Sequence, residues 1–406
     1  MRKLKVHNFG PVKDVDIELK SVNIFIGEQS VGKSTLAKLI TIFTDRILLS
    51  RLVIYGYNSW VSLAKEYGID FCLTQKKYNI EYAHDEGYFV FNMIIEKNAV
   101  SFSMIKDGVS IHDKNEIIFT LIENKPIYHK DLFEKRRLLI SSEEDNSNIS
   151  DKIFELYRDS LYIPAERIVY SVIDKLQPAL SLAKSIVPDT FSRFMLELSE
   201  SKEKNKEIKI PLLGITYIRK SDDDYIKIKE RDTLLPLQNS SSGIQSYLPF
   251  YLVYLNAIDS KEYSSYVIEE PECNLFPDKQ VGLLQDILRK ISDKSKYLLT
   301  ITTHSPYLLS TLNNSFFAGF IVEQFGDEAE ELILKVLPDL PILKSNYFAI
   351  YSLGAKINGK VYCKSLIDED THMIDSNTLD SISFKMGNDF SKLEDIYLSF
   401  SNENDA

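Results

Sequence analysis

Cysteine is scarce and dispersed: Cys72, Cys273 and Cys363 are the only three in 406 residues. Their separation leaves no paired spacing for a zinc site and no disulfide framework. No apolar run approaches the roughly 18–20 residues that a membrane-spanning helix needs. The opening Met1-Arg-Lys-Leu-Lys-Val-His-Asn-Phe9 alternates polar and apolar residues and has no signal-peptide stretch. These absences point to a reduced, cytoplasmic protein with no membrane partner. Positive charge is also short, 48 Lys and Arg against 59 Asp and Glu, for a net charge of −11. That argues against a surface that is basic overall, the usual footprint of nucleic-acid binding. A local basic groove stays open, because the distribution of charge decides binding and the total does not. Internal repeats and long heptad arrays are lacking too.

What is present is the material of an ordinary globular protein, 44% hydrophobic and 26% charged. The first 45 residues read strand, turn, strand, strand, loop, helix. Leu4–Phe9 and Val15–Leu19 alternate with period two. Val22-Asn-Ile-Phe-Ile26 is more continuously apolar, as a buried strand should be, and the helix is expected from Lys33 to about Leu49. Tyr88–Ile122 reads as β-hairpins and the acidic Ser141–Ser150 as a loop. From Asp174 to Asp232 the chain turns from helix through a charged segment to strands around Ile215 and Tyr225. A loop, the helix Gln245–Ile258, a strand ending at Ile268, the helix Lys279–Ile291 and the strand Tyr297–Thr302 follow. The last 80 or so residues mix short strands with one amphipathic tail segment.

Chemistry concentrates in four motifs. Gly27-Glu28-Gln29-Ser30-Val31-Gly32-Lys33-Ser34, followed by Thr35, fits G-x-x-x-x-G-K-[ST] at every fixed position. Its glycines let successive N–H groups turn toward phosphate oxygens. Lys33 would reach the β- and γ-phosphates, and the Ser34 hydroxyl would ligate Mg²⁺. Tyr266-Val-Ile-Glu-Glu-Pro-Glu272 places carboxylates at the end of an apolar strand, where open α/β sheets bind ligands. Glu269 would hold Mg²⁺, and Glu270 would act as base or polarise the attacking water. Asn239-Ser-Ser-Ser-Gly-Ile-Gln245 puts Ser241, Ser242 and Gly243 at a helix start, either a second anion site or an ordinary N-cap loop. His304 follows a strand in Thr302-Thr-His-Ser-Pro306 and suits a γ-phosphate sensor, although a lone histidine is more often structural. Asp222-Asp-Asp224 is a tempting metal site, but such a run is more often a solvated face.

The four motifs in this order resemble the ABC-type ATPases, and more narrowly the soluble group of RecF, SMC and OLD-family (overcoming-lysogenization-defect) ATPases. Ile268-Glu-Glu-Pro-Glu-Cys-Asn-Leu-Phe-Pro277, Thr303-His-Ser-Pro-Tyr-Leu-Leu-Ser-Thr-Leu-Asn-Asn314 and Tyr162-Ile-Pro-Ala-Glu-Arg167 are close to OLD-like phrases. The resemblance covers about residues 1–50 and 160–320. It implies an α/β fold: a P-loop ATPase head with a mixed central sheet, an N-terminal β-rich lobe and a helical/β insertion before the signature loop. Residues 1–320 would form the ATPase domain, with insertions at about 57–160 and 174–232, and 321–406 a small α+β extension.

The resemblance further implies ATP and Mg²⁺, Arg167 approaching the nucleotide, and a head-to-tail homodimer in which Ser241, Ser242 and Gly243 act in trans. Glu269 stands where most ABC proteins have aspartate, the signature is a loose match, and no Q-loop glutamine is assigned. The tail shows no clear run of metal-ligating acids of the kind a fused nuclease domain would carry. The first functional expectation is therefore a switch ATPase in an anti-phage defence or toxin-type module, acting with a separate effector such as a nuclease. The alternative is a RecF-like DNA-binding ATPase. Lys135-Arg-Arg137 is the densest basic cluster available for it. A transporter subunit or a phosphotransferase ranks lower.

Overall fold

The computed structural model describes residues 1–85, 89–106, 109–111, 158–170, 189–228, 233–290, 297–357, 360–375 and 385–393. The Lys135–Arg137 cluster, the Ser141–Ser150 loop and the hairpin reading beyond residue 111 lie outside them.

Among the described residues, three sheets organise the chain. The central one has the order β16-β15-β3-β14-β13-β8, formed by β3 (Val22–Gly27), β8 (Asp159–Ile163), β13 (Tyr263–Glu269), β14 (Leu298–Thr303), β15 (Phe348–Ile357) and β16 (Lys360–Ser365). The pairs from β15 to β8 are parallel and only β16 runs antiparallel, so the sheet is mixed, as expected. All six residues of β3 and all six of β14 are buried. Burial on both faces explains why these strands read as continuous apolar runs instead of alternating ones.

An N-terminal lobe carries β1 (Arg2–Phe9), β2 (Val12–Leu19), β4 (Asn79–Asp85), β5 (Phe89–Glu96), β6 (Ala99–Lys106) and β7 (Val109–Ile111). They form one antiparallel sheet in the order β2-β1-β4-β5-β6-β7. The β-hairpins anticipated after Tyr88 thus extend the first hairpin of the chain. A four-stranded antiparallel sheet joins β9 (Glu207–Ile210), β10 (Ile215–Lys220), β11 (Asp223–Ile228) and β12 (Leu234–Pro236) in reverse order.

Helix α1 (Lys33–Thr44) follows β3, and α2 (Arg46–Glu66) follows α1. A single helix to Leu49 was expected. Asp45 divides it, because its extended backbone lets the carboxylate accept from Ile47 N and Leu48 N and start a new helix. Further helices among the described residues are α3 (Asp189–Lys204), α4 (Ser242–Ser260), α5 (Pro277–Lys290), α6 (Pro306–Phe325) and α7 (Asp327–Val336).

Two apolar cores flank the central sheet. Ile24 and Ile26 pack on one face with Tyr247 of α4, Leu284 of α5 and Leu312 of α6. Phe25, one residue out of phase, faces Leu36 and Ile40 of α1, Leu52 of α2 and Val6 of β1. The domain boundary expected at 320 falls inside α6. The chain beyond it supplies β15, which runs beside β3 with Leu353 opposite Gly27.

Candidate functional site

Because β3, β13 and β14 are parallel neighbours, their carboxyl ends meet at one edge of the sheet. That edge is where open α/β sheets place ligands. The loop after β3, Glu269 at the end of β13 with Glu270 just after it, and His304 after β14 all emerge there.

The loop is shaped by two glycines at positions where a side chain would be both strained and crowded. Gly27 has φ 152°, and a Cβ there would sit 2.2 Å from Leu353 O. Gly32 has φ 103°, and a Cβ would meet Val12 Cγ2 at 2.6 Å. Gly32 also starts α1 without a side-chain cap, leaving first-turn N–H groups available to an anion. Glu28, Gln29, Ser30 and Ser34 are exposed, whereas Lys33 and Thr35 are buried. Lys33 Nζ donates to Gly27 O at 2.8 Å and Glu28 O at 2.7 Å, so the ammonium lies across its own loop. Burial drives its pKa down to about 8, against the opposing pull of Glu270, Glu272 and Glu269. Gly354 backs Val31 so closely that a Cβ would lie 2.7 Å from its Cγ1. Sequence reasoning missed this support from the C-terminal strand, since strand order in a sheet leaves no local signal.

Glu269 is 4% exposed. Tyr162 Oη, at the end of β8, donates to its Oε1 at 2.9 Å. Burial raises the Glu269 carboxyl above the usual range, offset by Lys38 and by hydrogen bonds from Tyr162 and Ser34. The two residues expected at a metal, Ser34 and Glu269, are therefore adjacent.

Glu270 has a left-handed backbone, φ 42°, a conformation that costs a non-glycine residue about 1 kcal/mol or more and is often found at functional sites. The turn is held open by Glu270 N donating to Thr302 O at 2.9 Å. His304 Nε2 lies 3.2 Å from Glu270 Oε1, both side chains about one-third exposed. Cys273 Sγ donates to the other oxygen, Oε2, at 3.2 Å. Thus the strand-end acidic motif and the histidine motif, with Glu270 and His304 34 positions apart in sequence, meet at one carboxylate.

Arg167, expected to approach the nucleotide, spends its guanidinium on backbone carbonyls around the carboxylate turn. It is 0% exposed. Its Nη1 donates to Pro164 O at 3.0 Å and Glu269 O at 2.7 Å, and its Nη2 to Glu270 O. The planar fork suits this task, because it can bind successive carbonyls of one turn. Arg167 clamps the carboxylate turn from behind.

Ser241, Ser242 and Gly243 begin α4, with Ser241 at the N-cap position making no side-chain cap bond. Both serines are exposed. Gly243 approaches the carboxylate turn: a Cβ would sit 2.8 Å from Asn274 O. Gln245 Nε2 folds back on Gln238 O and Ser240 O, at 3.0 and 2.8 Å, and sets the shape of the loop. Asp224 pairs with Lys202 at 2.6 Å, both nearly buried, and accepts from Tyr217 Oη. Among the described residues no group of three or more His, Cys, Asp or Glu could hold a metal ion.

A glycine loop opening a helix beside strand-end carboxylates, on a mixed α/β sheet, is the arrangement of a P-loop ATPase. The chain belongs to the AAA ATPase domain family, whose model matches residues 1–86 and 57–309. No curated protein sequence matches it. Among solved structures it is similar to an Smc head bound to the C-terminal winged-helix domain of ScpA, at 13% identity and TM-score 0.38, covering 90% of this chain and 96% of that one. The SMC head domain from Thermotoga maritima gives 12%, TM-score 0.36 and coverage of 89% and 97%. The recombination mediator RecF gives 12%, TM-score 0.31 and coverage of 90% and 97%. A likeness of this size assigns no residue its role. Among the described residues no helix is long and apolar enough to cross a membrane.

Proposed function

We propose that the chain is an ATP-hydrolysing switch: two copies close head-to-tail around ATP, and hydrolysis releases them. The observation that carries this reading is the meeting of Glu270 and His304 at 3.2 Å, beside a glycine loop whose Lys33 is flanked by three carboxylates. The Gly27–Thr35 loop and the start of α1 would bind the phosphates through backbone N–H groups, and Lys33 would exchange its two carbonyl partners for phosphate oxygens.

Ser34 and Glu269 fit Mg²⁺: a hydroxyl and a carboxylate share a hydrogen bond, and one buried carboxylate plus phosphate oxygens is the ordinary provision for this ion. When bound, the ion would offset charge on the phosphates. Glu270 would hold the attacking water and take its proton. His304 would orient Glu270 and sense the terminal phosphate.

Ser241, Ser242 and Gly243 would complete the site of the opposite copy, since their exposed helix start offers hydroxyl and amide donors outward. The product of such a site is a conformational signal, which suits a regulatory ATPase working with a separate effector such as a nuclease, in a defence or toxin-type module. Exposed Phe317, Phe325, Leu332 and Val336 on α6 and α7 are consistent with a protein partner.

Two variants test the reading. Lys33→Ala should abolish ATP binding in calorimetry. Glu270→Gln should keep binding, slow phosphate release about 100-fold or more, and accumulate an ATP-dependent dimer in light scattering. Wild-type hydrolysis by Glu270→Gln would remove the assignment of the base. Recovery of a partner protein with the ATP-locked variant would support the effector. Salt-sensitive, ATP-dependent DNA binding would move the reading to a RecF-like clamp.

A further inference from the structure

Glu272 is a buried carboxylate that no motif requires. It is 7% exposed and lies two residues beyond Glu270 in the turn that Arg167 clamps. Its Oε1 accepts from Thr303 Oγ1 at 2.6 Å and from His304 N at 2.9 Å. Both donors sit where β14 ends and the chain turns into α6. The same Thr303 hydroxyl accepts from Ser305 N at 2.9 Å. Ser305 in turn caps α6 through Leu308 N and donates to Gln280 Oε1 of α5 at 2.6 Å. One carboxylate oxygen therefore fixes the backbone from which the His304 ring projects.

Its other oxygen has no hydrogen-bond partner among the described residues. Burial of this kind is costly, and an orphaned acceptor in a folded protein calls for an explanation. A glutamine could accept the same two hydrogen bonds without bringing a charge into the interior.

We propose that Glu272 is a positioning residue for hydrolysis. It ties the segment bearing His304 to the turn bearing Glu270, so that the imidazole and the carboxylate keep their 3.2 Å approach. Glu270 and His304 follow different strands, and their side-chain link, about one-third exposed, is open to competition from water. Glu272 supplies a second link between the two segments, through the Thr303 hydroxyl and the His304 backbone N–H. Because it acts on the pair and not on the phosphate loop, its removal affects turnover in preference to nucleotide binding.

The inference rests on the reading of Glu270 and His304 as the hydrolytic pair, and the test separates the two. Glu272→Ala should lower kcat by about 10- to 100-fold, the cost of misplacing a catalytic group by about 1 Å, with KM for ATP within about twofold of wild type. Glu272→Gln retains the acceptor oxygen and should recover most of kcat. Thr303→Val removes one of the two donors without touching Glu272 and should give a smaller loss of kcat, which keeps the test open if Glu272→Ala folds poorly. Independently of turnover, the His304 imidazole resonance, assigned with His304→Ala, should shift in Glu272→Ala.

Unchanged kcat in both Glu272→Ala and Thr303→Val, or an unmoved His304 resonance, overturns the proposal. So does an equal fall of kcat in Glu272→Gln and Glu272→Ala. If Glu270→Gln hydrolyses ATP normally, the functional reading fails, and the resonance alone then decides whether Glu272 positions His304.

Discussion

The two regions that the proposed function sets against the nucleotide differ in how they are finished. Lys33 and Glu269 are 6% and 4% exposed, and each is held by hydrogen bonds from within the chain. Ser241 and Ser242 are exposed, and Ser241 leaves its hydroxyl out of the helix start it occupies. Yet the loop they stand on is shaped as carefully, by Gln245 from inside and by the close approach of Gly243 to Asn274. Under the proposed function the first region carries the chemistry, and the second, with its exposed donors, completes the site of another copy.

Mixing two defective chains would break that comparison most severely. Lys33→Ala spoils the first region, and Ser242→Ala combined with Gly243→Ala spoils the second. Each chain alone should be inactive. In a head-to-tail dimer one of the two sites of a mixed pair regains both regions, so random mixing should restore about a quarter of wild-type hydrolysis. A mixture that stays inactive would show that the second region serves its own chain. Gly243→Ala carries the close contact with Asn274 O, so the double variant is first checked for an unchanged Tm.

Removing Arg167 should have the next largest effect, and on stability as much as on activity. Arg167→Ala strands the carbonyls of Pro164, Glu269 and Glu270 in a buried site. Each unsatisfied carbonyl costs about 1–3 kcal/mol, so the loss should exceed about 3 kcal/mol in denaturant unfolding. Arg167→Lys should rescue little, since an ammonium cannot reproduce the fork. By contrast Ser241→Ala and Ser242→Ala should stay within about 0.5 kcal/mol of wild type, as exposed substitutions do. An Arg167→Ala protein as stable as the wild type would dissolve the distinction between a buried frame and an outward face.

The same contrast governs what could be read from the sequence. Val22–Ile26 announced itself because a strand buried on both faces has no polar alternation to hide in. The glycine loop was legible because its chemistry demands particular residues at fixed spacing. The carboxylates after Ile268 followed from their place at a strand end. The motif around Arg167 shows that the residue matters and not where its fork points, since burial against three carbonyls has no sequence signature. Glu272 was visible only as part of a phrase, since its partners Thr303 and His304 come from a neighbouring strand. The support that Leu353 and Gly354 give the loop depends on β15 pairing beside β3 across more than 320 positions, which no local pattern records. Asp45 was hidden in an apolar run whose helical spacing continued past it, although the residue type is a common N-cap.

The smallest predicted effect is a proton. Burial lowers Lys33 to about 8, with Glu270, Glu272 and Glu269 pulling the other way, whereas in the unfolded chain it keeps the ordinary value of about 10.5. Between those values the unfolded chain binds a proton that the folded chain lacks. The contribution of Lys33 to stability therefore rises with pH across that window and is unfavourable below it. Phosphate oxygens in the loop would favour the charged ammonium, so ATP binding should draw in a fraction of a proton that grows between about pH 7 and pH 9. Calorimetry in two buffers of different ionisation enthalpy measures this directly. The Ser241–Gly243 segment has no titratable side chain, so its double alanine variant should take up the same fraction. Uptake absent at pH 9 would mean that Lys33 is already charged across its loop, and the buried half of the site would then be less dry than its exposure suggests.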